Sequence, residues 1–373
     1  MKILSGNAYN IKKNLIGQIT KRPLTIRKNC VYVINQKYKI PFFHSCYISK
    51  NNIKTHKPII CNVLNIEELN EGDIVLIKKD GSINVIFDTK LTDNSLFITA
   101  KCNCSCIMCP QISENKEERY ELNMKIIDLI SRNKIKPAQL GITGGEPTLA
   151  GDNLIKILNN CSSRLPNTKL SLLTNAILLE NKEYANKIID STKNNITFEI
   201  PLYSDIDTIH NKIVGVNSFY KVINGIYNLA SRNSEISIRF VIQKDNFERM
   251  KEFAEFIYFN TPFVAHVAFM YMETNGLAYD NIKKVWIDPM DTAEHIKAGI
   301  EYLVKRKMKV SIYNAQLCIL KKEIWCYARK SISGWKNVYL EECNKCLQKD
   351  NCGGFFSTSN NIYSKGIKAI KNN

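Results

Sequence analysis

From residue 95 onward the chain alternates short apolar runs with longer amphipathic stretches, and this alternation constrains the fold more than any other feature. The strand candidates are 95–101, 138–143, 169–174, 196–202, 236–242 and 264–270. Between them apolar residues recur at helical spacing, as with Ile126, Ile127 and Ile130 before the second run, and Val222, Ile223, Ile226 and Leu229 before the fifth. Six βα units in succession imply a parallel sheet with helices outside. Six rather than eight predict a partial, open barrel. Ligands of such sheets sit at the carboxyl ends of the strands, so chemistry is expected where the runs end.

The first run ends in Cys102-Asn-Cys-Ser-Cys-Ile-Met-Cys-Pro110, in which Cys102, Cys106 and Cys109 stand in the spacing Cys-x3-Cys-x2-Cys. A compact loop can point three thiolates at one metal centre. Iron–sulfur clusters are usually held by four cysteines, so three from one loop leave one iron open to a small molecule. A structural zinc loop drawing also on Cys104 is the competing reading. The second run ends in Gly144-Gly-Glu-Pro147. Its glycines let the backbone approach a ligand, Glu146 adds a carboxylate, and Pro147 fixes the turn. Thr174-Asn175 ends the third run, as a site or as a turn or cap. Arg239 lies inside the fifth run, where a charge among apolar neighbours needs a partner, a ligand carboxylate or a structural salt bridge. His210 and Glu273 follow the fourth and sixth runs.

Thirteen cysteines suggest metal or redox chemistry in a chain with no disulfide-scaffold character, because four fall within 102–109 and five within 318–352. Cys30, Cys46, Cys61 and Cys161 are scattered and read as small buried hydrophobes. A further run at 310–313 leads to Cys318, followed later by Cys343-Asn-Lys-Cys346 and Cys352. These four thiolates can close one site, and spacing alone does not separate zinc from an iron–sulfur cluster. Cys326 is a spare. The net charge of +17 is uneven: no Asp or Glu precedes Glu67, while twelve Lys or Arg lie between Lys2 and Lys57. That basic stretch suits nucleic acid or an acidic peptide, or is solvated surface. Residues 1–92 read as a small β-rich domain, with β-branched runs at 30–34 and 74–77 and an Asp80-Gly81 hairpin turn. No apolar run approaches the roughly 18 residues of a membrane span, and the N-terminus lacks a signal-peptide core. A cytoplasmic protein with no membrane partner is expected.

The cysteine loop, followed one βα unit later by Gly-Gly-Glu-Pro, resembles the radical S-adenosylmethionine (SAM) superfamily. The resemblance implies a [4Fe-4S] cluster on Cys102, Cys106 and Cys109, whose free iron is chelated by the amino and carboxylate groups of SAM. Reduction of that cluster would cleave SAM to a 5'-deoxyadenosyl radical that abstracts hydrogen from the substrate. It further implies that Gly144, Gly145 and Glu146 lie by the SAM amino group, Thr174 and Asn175 near SAM, and Arg239 at its carboxylate. Relatives carry Ser-Leu-Asp after the fourth strand, the serine reaching the ribose. Here Pro201 stands at that serine, and Ser204 is the substitute.

Cys343, Cys346 and Cys352 resemble part of an auxiliary-cluster (SPASM or twitch) domain. Phe356 stands where a full SPASM domain adds a cysteine, so one auxiliary iron–sulfur cluster is expected, on Cys318, Cys343, Cys346 and Cys352. Stretches 106–111, 200–205, 268–273, 331–337 and 352–356 are similar to the C-type radical SAM maturases of His-Xaa-Ser peptide systems. That similarity implies a ribosomally made peptide as substrate, a second radical SAM maturase as partner and a flavodoxin or ferredoxin as reductant; Glu273, placed after the sixth run on the substrate side of the barrel, is read as a catalytic residue. The expected architecture is α/β: a basic β-rich domain over 1–92, a partial (β/α)6 TIM-like radical SAM barrel over 93–290, and a Cys-rich auxiliary-cluster extension over 291–373. The rival readings are a radical SAM enzyme acting on RNA or a small molecule, and a non-enzymatic zinc-binding protein.

Overall fold

The computed structural model describes residues 2–25, 28–34, 43–111, 119–133, 136–330 and 336–371. The first five residues of the 331–337 stretch lie outside them. The chain packs as two units. One comprises Met1–Ser95, Glu121–Leu140 and Asn160–Thr168, and the other Leu96–Tyr120, Gly141–Asn159 and Lys169–Asn373.

The first unit is built on eight strands: β1 (Ile3–Ser5), β2 (Asn7–Tyr9), β3 (Leu15–Thr20), β4 (Cys30–Ile34), β5 (Cys46–Ser49), β6 (Ile59–Cys61), β7 (Ile74–Ile77) and β8 (Ser82–Phe87). Their order across the sheet is β1-β8-β7-β3-β4-β5-β6-β2. The β7–β8 hairpin turns at Asp80-Gly81, where the Lys78 and Gly81 amides close the turn. Strands β3 to β6 run parallel, which the β-branched runs alone did not foretell. β1 pairs with β8 and β2 with β6, yet only Gly6 separates β1 from β2. One short segment therefore supplies both edges of the sheet. A Cβ on Gly6 would fall 2.4 Å from the Cys61 carbonyl oxygen, so the junction needs a glycine. Alternating residues fill the core, among them Val31, Val33, Ile48, Ile60, Val75 and Ile83. The scattered cysteines Cys30, Cys46, Cys61 and Cys161 are all buried. Helix α1 (Tyr120–Arg132) ends at Asn133, which bonds Gln18 and, at 3.2 Å, the Gly72 carbonyl.

The second sheet contains β9 (Ser95–Phe97), β10 (Gln139–Thr143), β11 (Lys169–Leu173), β12 (Ile196–Pro201), β13 (Glu235–Ile242), β14 (His266–Tyr271), β15 (Val310–Tyr313) and β16 (Ala328–Arg329). The strands lie in simple sequence order, and neighbours from β11 to β16 are parallel. Each of the six predicted runs contains a strand, though the first is a strand only at Ser95–Phe97; the run at 310–313 joins the same sheet, and β16 is an eighth strand that no periodicity announced. Helices α2 (Asp152–Arg164), α3 (Lys182–Ser191), α4 (Asp207–Val214), α5 (Phe219–Ala230), α6 (Met250–Asn260), α7 (Leu277–Asp280), α8 (Ile282–Val285) and α9 (Ala293–Lys305) fill the connections. In β13 one side is wholly apolar: Ile236, Ile238, Phe240 and Ile242 are buried, and Phe240 meets Phe253 of α6 at 4.5 Å between ring centres. Period-two alternation then places Ser237, Arg239 and Val241 on the other face. Among the described residues no helix is long and apolar enough to cross a membrane.

Candidate functional site

The cysteine loop follows β9 and is fixed by backbone hydrogen bonds to three segments. Glu146 N–H donates to the Lys101 carbonyl at 2.8 Å and Gly145 N–H to Thr99 at 2.7 Å. From within the loop, Ser105 and Ile107 donate to Val214 and Ile213 at 2.9 and 3.1 Å, and Leu277 N–H caps the Cys109 carbonyl at 2.9 Å. Two glycines make this packing possible. A Cβ on Gly145 would sit 2.3 Å from the Lys101 oxygen, and one on Gly276, held at φ +58°, 2.7 Å from the Pro110 oxygen. Behind the loop Met108, Tyr203, Ile213, Val214, Ala278 and Val285 form an apolar backing that Cys104 and Cys106 touch.

All four loop cysteines are half-buried. The Cys104 thiol bonds those of Cys102 and Cys106, and the Cys104 N–H donates to Cys102 Sγ at 3.4 Å. Asn175 Nδ2 donates to Cys104 Sγ at 3.3 Å and to Asn103 Oδ1 at 2.7 Å. The hydrogen bond that the Cys102 thiol donates to Cys104, with burial second, drives Cys102 far above its usual range, and burial raises Cys109. These thiols stay protonated without a cation, while a coordinated metal deprotonates them outright. An all-sulfur donor set suits an iron–sulfur cluster or zinc. Among the described residues no three His, Cys, Asp or Glu side chains stand at the spacing a single ion requires.

The end of β10 is locked to the end of β11 through Glu146. Its carboxylate accepts from Thr148 N (3.0 Å), Thr148 Oγ1 (2.6 Å), Thr174 Oγ1 (2.7 Å) and Asn175 N (2.6 Å). Burial pushes this acid upward and the four donors pull it back. Three of these donors share Oε1 and one meets Oε2, so Glu146 holds the two strand ends together. Thr174 and Asn175 thus belong to the same network as the cysteine loop, a link invisible in the sequence. Ser204 is fully buried, its hydroxyl accepting from Ile206 N–H at 3.1 Å, which makes it a local cap. Arg239 is half-buried with Nε 3.4 Å from Met270 Sδ, and among the described residues it forms no ion pair. His210 is a core histidine. Its Nδ1 accepts from Tyr203 N–H at 3.3 Å, its ring stacks on Tyr203, and burial lowers its pKa to about 4. Glu273 Oε1 accepts from Thr358 at 2.7 Å, tying the end of β14 to the C-terminal region.

Cys318, Cys343, Cys346 and Cys352 line one pocket of about 310 Å³ together with Tyr339 and Lys368. Three segments deliver them: the turn Leu317–Ile319 after β15, the turn Glu341–Lys345 and Cys346 that follows it, and the bend at Cys352. Tyr339 OH donates to the Cys352 carbonyl at 3.0 Å and Gln316 Nε2 to the Gly354 carbonyl at 2.7 Å, drawing the segments together. Cys326 is exposed and does not line this pocket.

Residues 96–257 match the family model described as the Radical SAM superfamily. The chain is similar to the "Probable GTP 3',8-cyclase" of Metallosphaera sedula, 30% identical over 171 residues that cover 44% of this chain and 51% of that protein. It is also similar to the uncharacterized protein MJ0907 of Methanocaldococcus jannaschii, 24% identical over 74% of this chain and 92% of that one. Among solved structures it resembles Streptococcus suis SuiB bound to precursor peptide SuiA, with TM-score 0.50 and 17% identity over 60% of this chain and 48% of SuiB. The matched region thus spans about half the length of the cyclase and of SuiB. The superfamily implies a [4Fe-4S] cluster and SAM, and the thiol-only loop at the end of β9 has the donor chemistry for the cluster. Residues 96–257 are thus the part of the chain that is similar to the radical SAM superfamily.

Proposed function

We propose that this chain is a radical SAM enzyme that modifies a ribosomally synthesised peptide, as a maturase of the His-Xaa-Ser type. The observation that carries the reading is the gathering of Cys318, Cys343, Cys346 and Cys352 around one pocket, in the same packed unit as the Cys102–Cys109 loop. A reduced [4Fe-4S] cluster with bound SAM supplies a 5'-deoxyadenosyl radical that removes a hydrogen atom from the substrate. Cys102, Cys106 and Cys109 hold that cluster, while Cys104 is occupied by Asn175. The backbone of Gly144 and Gly145 faces the SAM amino group, with Glu146, Thr174 and Asn175 keeping the two strand ends together. Arg239 pairs with the SAM carboxylate, and Ser204 shapes the turn beside the ribose. Glu273, bonded through one oxygen to Thr358, is the acid–base candidate. The parallel sheet is then the partial barrel, and the cysteine-rich region its auxiliary-cluster extension. The partners in this reading are the peptide, a second radical SAM maturase and a flavodoxin- or ferredoxin-like reductant, all in the cytoplasm.

SuiB, whose fold this chain shares, was crystallised with a precursor peptide, which supports a peptide substrate. A second reading, a nucleotide substrate, is favoured by the 30% identity to a GTP 3',8-cyclase homologue, and the basic residues before Glu67 suit it. The deciding experiment measures iron and sulfide after anaerobic reconstitution, and 5'-deoxyadenosine formed under dithionite. About eight irons, falling to about four in Cys102→Ala/Cys106→Ala/Cys109→Ala with cleavage abolished, is the expected result for two four-iron clusters. An iron-free wild type would sink the reading. Turnover of GTP, with no mass change in a candidate peptide, would replace it with the nucleotide one.

A further inference from the structure

The tail that leaves the four-cysteine pocket at Cys352 comes back to it. On its way out it is tied to the loop after β14: Thr274 Oγ1 donates to the Ser359 carbonyl at 2.9 Å, and Asn360 Nδ2 to the Thr274 carbonyl at 2.7 Å. It then anchors on Asp288, whose carboxylate accepts from Ser364 Oγ and, at 3.0 Å, from Lys365 N–H. Gly366 lies so close to Met290 that a Cβ there would meet Sδ at 2.8 Å. From this anchor the chain turns back over the cysteines. Lys368 N–H donates to the Cys318 sulfur, Ile370 N–H donates to Cys346 Sγ at 3.4 Å, and the Ile370 carbonyl accepts from Leu347 N–H at 2.9 Å. Lys368 and Ile370 also line the pocket, so an ammonium-bearing side chain borders it.

Two of the four sulfurs therefore receive amide hydrogens from a segment that supplies no ligand. Hydrogen bonds to sulfur, net charge and solvent exposure set the reduction potential of an iron–sulfur centre, and such outer contacts orient and tune ligands generally. Donors and positive charge favour the more negative, reduced form. We propose that residues 364–370 are a strap that raises the reduction potential of the four-cysteine centre, through the Lys368 and Ile370 amides and the Lys368 charge. The inference rests on the reading that an iron–sulfur cluster occupies Cys318, Cys343, Cys346 and Cys352.

The test uses the full chain with Cys102→Ala/Cys106→Ala/Cys109→Ala, so that only the C-terminal centre contributes signal. Iron per chain is measured, and the centre is titrated electrochemically with detection by electron paramagnetic resonance. Ile370→Pro removes the amide hydrogen at Cys346, and Lys368→Met removes the charge while keeping the amide at Cys318. Each is expected to shift the midpoint potential to a more negative value at unchanged iron content. Unchanged midpoints in both variants overturn the strap. Loss of iron in Ile370→Pro leaves the decision to Lys368→Met, whose side-chain change does not touch the backbone. A parent protein without iron defeats the cluster reading itself, and the strap with it, and the iron assay separates that failure from an unmoved potential.

Discussion

The two cysteine groups are built in opposite ways. Cys102 to Cys109 come from eight consecutive residues, and their loop is clamped by backbone bonds at the ends of β9, β10 and α4, with Gly145 and Gly276 allowing main chains to touch. Cys318 to Cys352 come from three short turns, gathered by side-chain bonds from Tyr339 and Gln316 and by the returning tail. The first site is shaped by the sheet before any ligand arrives. The second depends on contacts far apart in sequence, so closing it costs more chain entropy and a metal centre there stabilises the fold more directly. A group that must be presented in fixed geometry suits the first construction, and one whose properties are adjusted by its wrapping suits the second.

Replacing the cysteines tests the contrast most severely. Cys102→Ala/Cys106→Ala/Cys109→Ala is expected to abolish 5'-deoxyadenosine formation with the fold intact by circular dichroism. Cys318→Ala/Cys346→Ala should keep basal SAM cleavage but lower the thermal midpoint of the reconstituted protein. Acid addresses the apolar backing of the first loop next. The folded pKa of His210, about 4, lies below its unfolded value near 6.5, so the unfolded chain takes up the proton first. The contribution is complete above about pH 6.5 and is lost as pH falls toward 4, about 3 kcal/mol in all. Urea unfolding between those pH values should show that slope in the wild type and a flatter one in His210→Gln.

Paired glycine substitutions then separate the sites. Gly145→Ala forces a Cβ to 2.3 Å from Lys101 O, and Gly353→Ala forces one to 2.6 Å from Ala315 O. Each should destabilise by about 1–3 kcal/mol, with iron retention falling at the first site in one and at the second in the other. The smallest effect is expected from Thr174→Val, which removes one of four donors to Glu146. A loss of about 1 kcal/mol should come with weaker SAM binding by equilibrium dialysis. Unchanged binding would detach Glu146 from the site.

Much of this contrast was readable in the sequence where side-chain chemistry or periodicity carries it. The runs at 138–143, 169–174 and 196–202 match their strands to within a residue at either end, because β-branched and apolar residues bounded by polar ones leave little choice of state. Both cysteine groups and the hairpin at Asp80-Gly81 were equally plain. β16 was not, since two residues carry no period. Ser204 has the right residue type for a ligand contact, yet its hydroxyl satisfies Ile206 N–H, a local bond that composition does not distinguish from a functional one. The bonds from Thr174 and Asn175 to Glu146, the bond from Asn175 to Cys104 and the amides over Cys318 and Cys346 depend on long-range backbone placement. Backbone N–H groups are the same at every residue but proline, so no sequence signal marks those that find a sulfur.

The segment on either side of Gly6 has a kinetic consequence. Ile3 pairs with Asn84 and Tyr9 with Ile59, so seven residues wait on partners at least fifty positions further along the chain. Pairing of such separation is slow to form. Until it forms, β8 and β6 each present an unpaired row of amides and carbonyls, the template on which chains associate edge to edge. The clasp at Gly6 should be among the last elements of its unit to gain protection from hydrogen exchange. A stall at that step would leave a nearly complete, sticky intermediate.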